Sequence, residues 1–246
     1  MSEMKKEEPR GNTLVPTENV DKRTAFSKTY TVGPGKYQAF TSVIPLHRQN
    51  EETGKWEELD AAFKPAKEGD QLESIGAQLT VSCGVSGEKP FMIIRDQKDH
   101  CLSWGLEDAE PVKPEAMKEE IKEEDHVIQA FRQAMANAQG TVRYSEIFPG
   151  VDMICWNDSR FKDDFIFSAP ESARPVIFKL ETEGLKLSRD EESGLVVFDT
   201  DSEKIYNIPA PTLTDSEGQE GMVQVSLEET ESGYRLIYEP DPGSGS

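Results

Sequence analysis

Residues 142–167, VRYSEIFPGVDMICWNDSRFKDDFIF, decide the fold. Three β-rich runs, 142–148, 152–156 and 161–167, are separated by Pro149-Gly150 and Asn157-Asp158, dipeptides that reverse a chain rather than continue it. Runs this short between breaks this tight make an antiparallel meander. In the third run Phe161, Asp163, Phe165 and Phe167 alternate with Lys162, Asp164 and Ile166. That period of two puts one set on a buried face and the other in water.

Toward the C-terminus the same texture continues through runs at 176–181, 185–188, 195–199, 204–208, 222–228 and 234–239, with Glu192-Ser193-Gly194 and Ser232-Gly233 as reversals. Pro209 and Pro211 mark an edge or a crossover, because proline cannot donate into a central ladder. Toward the N-terminus, runs at 26–32 and 37–46 flank Gly33-Pro34-Gly35 as a hairpin, and 55–60 is a short strand packed through Trp56. Further strands are expected at 78–85, 91–95 and 101–106.

Only between Pro114 and Gly140 does the period change. Met117, Ile121, Ile128, Phe131 and Met135 recur at helical spacings with Lys and Glu between them, which predicts one amphipathic helix docked on a β core or bridging two β units. The expected architecture is therefore mainly β, with antiparallel β-sandwich units and one inserted amphipathic helix. Its divisions are a flexible arm over 1–20, an N-terminal β unit over 21–110, a helical connector over 111–140, an antiparallel β-sandwich over 141–241, and a linker or tail over 242–246.

The 246 residues carry 27 basic and 47 acidic side chains, a formal net charge of −20. Such a field repels phosphate backbones and anionic headgroups, so neither nucleic acid nor direct membrane insertion is expected. No apolar run is long enough to span a bilayer, and residues 1–10 are charged with no signal-peptide core behind them. Three cysteines, Cys83, Cys101 and Cys155, are too few and too scattered for a disulfide framework or a zinc site. They read as buried thiols, with a Cys83–Cys101 bridge left open.

Residues suited to catalysis are sparse. The only histidines are His47, read as a strand-end or surface residue before a turn containing Glu51 and Glu52, His100 in a polar turn, and His126 on a charged helical face. Asp163 and Asp164 are adjacent on a strand and point to opposite faces, so they cannot flank one glycosidic bond. Asp199, Asp201 and Glu203 form a weak calcium candidate, although Lys204 stands where a calcium loop needs glycine. GxGxxG, GxxxxGK[ST], GxSxG and HExxH do not occur. No catalytic residue, no metal site beyond that weak candidate and no cofactor is expected.

The phrases Arg23-Thr24-Ala25-Phe26-Ser27-Lys28-Thr29-Tyr30, Pro45-Leu46-His47 and Gly54-Lys55-Trp56-Glu57-Glu58-Leu59-Asp60 resemble the start of wall-associated Rhs or YD-repeat proteins and related DNRLRE-domain surface proteins of Gram-positive bacteria. Val142-Arg143-Tyr144, Phe148-Pro149-Gly150-Val151-Asp152 and Phe161-Lys162-Asp163-Asp164-Phe165-Ile166 look like their second recurring element, as do Gly184-Leu185 and Ile208-Pro209-Ala210-Pro211. The resemblance spans 23–238. It implies a structural β region on an exported, cell-surface protein, with Trp56, Asp60, Tyr144, Asp152 and Lys162 fixing strand packing and corners.

The expected function is accordingly a non-catalytic structural module, a spacer, anchor or cap of a large bacterial secreted or cell-surface protein, whose partners are other domains of the same polypeptide and cell-wall glycan. Two alternatives stand beside it. One is a carbohydrate-binding module stacking sugars on Trp56, Trp104, Trp156 or Tyr206. The other is a hydrolase whose site is assembled from distant residues.

Overall fold

The computed structural model describes residues 16–50, 52–66, 71–87, 89–189, 196–199 and 204–241. The fold is mainly β and antiparallel, with one α-helix among the described residues. Residues 1–15 of the expected arm and 242–246 of the expected tail lie outside the described residues, as do Asp201 and Glu203 of the calcium candidate.

The first hairpin forms where its glycines predict. Gly35 takes φ +67° and joins β2 (Ser27–Gly33) to β3 (Lys36–Thr41), while β1 (Thr17–Glu18) pairs along the other side of β2. Residues 17–20, expected to belong to a flexible arm, are thus a strand and the start of a 3-10 turn, because β2 offers the strand an unpaired ladder. A second small hairpin, β4 (His47–Gln49) with β5 (Trp56–Glu58), follows.

Next come β6 (Lys64–Pro65), β7 (Leu72–Ile75), β8 (Leu79–Cys83), β9 (Met92–Asp96) and β10 (Cys101–Leu106), a meander that begins the long sheet. The segment expected to be helical from Pro114 opens instead as a strand, β11 (Glu115–Met117), and the helix α1 is confined to His126–Asn137. Its start is set by Asp125, whose carboxylate accepts from the Val127 and Ile128 amides and satisfies the orphan donors of the first turn. Met117 fits the helical spacing by number alone and is 45% exposed on the strand.

After α1 the predicted meander is present as β12 (Gly140–Phe148), β13 (Val151–Asn157) and β14 (Phe161–Phe167), which with β11 make a four-stranded sheet. The chain then passes through β15 (Val176–Thr182), a small sheet of β16 (Lys186–Arg189), β17 (Val196–Asp199) and β18 (Lys204–Ile208), and finally β19 (Leu213–Thr214), β20 (Glu220–Thr230) and β21 (Gly233–Asp241).

The long sheet runs in the order β19-β20-β21-β15-β10-β9-β8-β7-β6. Its joint is the pairing of β10 with β15, from Leu102 opposite Thr182 to Leu106 opposite Phe178, which crosses the expected boundary between 21–110 and 141–241. One apolar core lies between this sheet and the four-stranded sheet, taking Val81, Met92, Trp104, Phe178 and Leu236 from one side and Val142, Tyr144, Val151 and Met153 from the other. A second, smaller core joins Leu46 and Leu59 to Phe131 and Ala138 of the helical segment, with Phe40 stacked on Phe131 at 4.9 Å.

Between the two cores the backbone approaches itself closely. A Cβ on Gly140 would stand 2.0 Å from the Ala61 carbonyl oxygen, so only glycine fits there. Beside it the fully buried Asn157 donates to the Ser74 hydroxyl at 2.9 Å.

Candidate functional site

The densest group of ionisable side chains is built from β1, β2, β5 and the turn before β2. Arg23 grips the Glu18 carboxylate with two nitrogens, Nε to Oε1 at 2.8 Å and Nη2 to Oε2 at 3.0 Å, and reaches Glu58 Oε1 at 3.3 Å. Lys28 is inserted between the same carboxylates, 3.2 Å from Glu18 and in direct contact with Glu58, with only 4% of its side chain exposed. Two cations and two carboxylates balance, which is what allows a lysine to be buried here.

His47 closes the group from β4. Its Nδ1 lies 2.7 Å from the Thr24 carbonyl oxygen, so Nδ1 carries the proton and Nε2 the lone pair. Nε2 is 4.0 Å from Glu18 Oε1 and, like the Tyr30 hydroxyl, is buried without a hydrogen-bond partner among the described residues. Burial pushes the imidazole below its ordinary value, with the Arg23 and Lys28 charges adding to the effect, so it is neutral at pH 7. Glu18 moves down too: burial opposes its ionisation, but the Arg23 hydrogen bond and the charges of Lys28 and Arg23 outweigh that penalty. Tyr30 is pushed up to about 12, by burial first and then by the Glu18 and Glu58 charges.

A neutral imidazole, a carboxylate and two cations are group types that general acid–base chemistry uses. Their arrangement is closed, since the His47 side chain has 0% exposure. As built, the cluster joins β1, β2 and the β4–β5 hairpin through charge. His47, expected at a strand end or on the surface, does begin a strand but is buried rather than on the surface. Its partners Glu18 and Lys28 are distant in sequence and supply the polar lining that makes its burial tolerable.

The other candidates are dispersed. His100 Nδ1 bonds Asp96 Oδ2 at 2.7 Å in its turn, and His126 is exposed at the start of α1. All three cysteines are free and buried, and burial pushes Cys83 up to about 12, which leaves it an inert thiol at neutral pH. Among the described residues no group of three His, Cys, Asp or Glu is placed to hold a metal, and no helix is long and apolar enough to cross a membrane. A shallow open depression of about 430 Å³ lies between β16 and β20, lined by Leu187, Arg189, Leu227, Glu229 and Tyr234.

The aromatic residues named for sugar stacking do not share a surface. Trp104 is buried in the large core against Phe161, and the half-buried Trp156 is on the outer face of the four-stranded sheet under Lys162. The Trp56 carbonyl accepts from Arg23, and the Tyr206 hydroxyl donates to the His100 carbonyl. Three of the positions named with the surface-protein resemblance make hydrogen bonds within the fold. The Tyr144 hydroxyl crosses the core to the Gly84 carbonyl at 2.9 Å, and Asp60 accepts from the Ala62 amide and Lys64. Asp152 accepts from the Glu146 amide at 2.7 Å and pairs with Arg143, pinning the bulge where Glu146 takes φ +55°.

No family model matches the chain, and no solved structure matches it significantly. Three curated proteins do. They are the tRNA(Glu)-specific nuclease WapA of Bacillus subtilis subsp. natto and the tRNA nuclease WapA of Bacillus subtilis strain 168, each 21% identical over 228 residues, and the tRNA3(Ser)-specific nuclease WapA of Bacillus spizizenii, 20% identical over the same length. In each case the match covers 89% of this chain and 9% of the relative, so the chain spans about a tenth of the length of these proteins. Their names overturn the expectation of a non-enzymatic structural module and the exclusion of nucleic acid as a partner: every one of these relatives is a nuclease that acts on tRNA.

Proposed function

We propose that this chain is a β-rich segment of a large polypeptide that cleaves tRNA. The observation that carries the reading is the reach of the similarity: 89% of the chain aligns with each of three proteins named as tRNA nucleases. Their printed specificities differ, tRNA(Glu) in one and tRNA3(Ser) in another, although both match the same chain at nearly equal identity. The residues that choose between tRNAs therefore belong to the rest of the polypeptide, and this segment serves a step common to both. The resemblance to exported surface proteins supports a polypeptide that is exported from the cell that makes it.

The test is to express the whole polypeptide that contains this chain, incubate it with total tRNA and map the cuts by primer extension. Cleavage of a defined tRNA is expected, with the same tRNA chosen when this segment is exchanged for its counterpart from a nuclease of another specificity. Intact tRNA in the presence of folded polypeptide would refute the reading, and a change of target on exchange would refute the division of roles.

A further inference from the structure

Charge is unevenly spread over the chain. Residues 19–50 hold five of the 27 basic residues, Lys22, Arg23, Lys28, Lys36 and Arg48, but only one of the 47 acidic ones, Asp21. Arg23 and Lys28 are neutralised inside the cluster by Glu18 and Glu58. Lys22, Lys36 and Arg48 are exposed and make no ion pair among the described residues.

Aromatic surface accompanies this charge. Tyr37 on β3 is 55% exposed, and Lys22 Nζ stands 3.9 Å from the centre of its ring. Phe26, immediately before β2, is 44% exposed. Phe40 and Tyr30 alternate with Tyr37 in the pleat and turn inward toward α1, so Tyr37 lies on the opposite, outer face, and the outer edge of β3 pairs with no other strand among the described residues.

We propose that the turn end of the β1–β2–β3 sheet, with Tyr37 and Lys22 on its outer face and the exposed Lys36 at the hairpin turn, is an RNA contact: the ammonium groups meet backbone phosphates and the phenol ring stacks on an unpaired base. The inference rests on the tRNA-cleaving reading and adds to it a place on this chain. Charge complementarity selects the occupant, because the sheet is a basic island in an acidic protein. At physiological ionic strength charges farther than about 8 Å are largely screened, so the remaining acidic surface does not cancel a patch of this size. Phosphate contact and base stacking tolerate any sequence, which suits a segment shared by nucleases of different tRNA specificity.

The test measures fluorescence anisotropy of a labelled twelve-nucleotide single-stranded RNA, with unlabelled tRNA as competitor, on the full chain at 50 and 150 mM salt. Saturable binding is expected, weakening with salt by a log–log slope of about −1.4, since each of the two phosphate contacts contributes roughly −0.7 on a single strand. K22E/K36E should abolish it, and Tyr37→Ala should weaken it roughly tenfold without changing the salt slope, as loss of one stacked base does. Tyr37→Phe should restore it. No saturable binding at 50 mM salt, or binding unchanged in a K22E/K36E protein with wild-type circular dichroism, overturns the proposal. The same variants are assayed in the whole polypeptide: tRNA cleavage indifferent to them removes this contact and leaves the nuclease reading standing, whereas patch-dependent RNA binding without cleavage does the reverse.

Discussion

The N-terminal sheet and the sandwich are held together by opposite means. In the first, four charges and a neutral histidine occupy the space where a core would be, and the apolar cluster beside them has only Leu46, Leu59, Phe131 and Ala138 as buried members. In the second, two sheets enclose a continuous apolar core from Phe63 to Leu236, in which polar groups are exceptions. Apolar burial is non-directional and nearly independent of pH, whereas a charge cluster depends on each partner and on protonation. The two regions should therefore fail separately and under different conditions.

The largest expected effect is in the sandwich. Phe148 is fully buried where β12 meets β13, and Phe148→Ala should cost about 3–5 kcal/mol, the usual range for deleting a core phenylalanine. In urea unfolding followed by near- and far-ultraviolet dichroism, the transition of the sandwich should move earlier in both signals. A cost below about 1 kcal/mol would mean that the two sheets are not one cooperative unit.

Next in size is the N-terminal clamp. Lys28→Met leaves Glu18 and Glu58 facing each other across a cavity shaped for an ammonium group, and should cost about 2 kcal/mol, less than a fully enclosed pair because Glu58 is half exposed. Amide exchange should rise in β1, β2 and β5 while β12–β14 stay protected. Equal loosening of both regions would break the contrast drawn above.

Acid separates them further. Glu18 is held below its ordinary value in the fold, so its stabilisation is present at neutral pH and is lost as pH falls through the carboxylate range. Asp163, on the inward side of β14, is pushed from 3.8 up to about 6, by burial first and then by the Asp164 charge. A raised value gives the opposite sign: the protonated fold is favoured, and that stability is lost as pH rises from about 4 through 6. Each pKa unit corresponds to about 1.4 kcal/mol, and after screening at an edge strand Asp163→Asn should stabilise the chain at pH 7 by about 1 kcal/mol. Little gain should appear at pH 4, and equal gains at both pH values would show that Asp163 is not the responsible group.

This contrast also explains what the sequence revealed. The alternation at 161–167 depends on adjacent residues alone, and the structure has a strand with those bounds. The partnership of β10 with β15 joins residues 72 to 80 positions apart, and no local pattern encodes it, which is why one long sheet was read as belonging to two units. The ionic cluster was hidden for the same reason. Glu18 fell within a stretch read as a mobile arm, so His47 was left without the neighbours that bury it. Only the excess of basic residues between 19 and 50 hinted that net charge was a poor guide to partners.

The smallest expected effect concerns the outer face of the four-stranded sheet. Lys162 lies 5.0 Å over the Trp156 ring and bonds the Asp164 carboxylate at 2.9 Å, yet about two-thirds of its side chain is in water, at 66% exposure. Exposed ion pairs and cation–π contacts each contribute about 0.5 kcal/mol, so Lys162→Ala should shift the urea midpoint barely beyond error. Intrinsic fluorescence should change more than stability does, because Trp156 loses its covering cation while Trp104 stays in the core. A cost above 1 kcal/mol would mean that this face is covered in solution, and the shift should then depend on protein concentration. Insensitivity to concentration together with a small cost leaves the outer sheet face in water and the N-terminal sheet as the surface of this chain with the stronger claim on a partner.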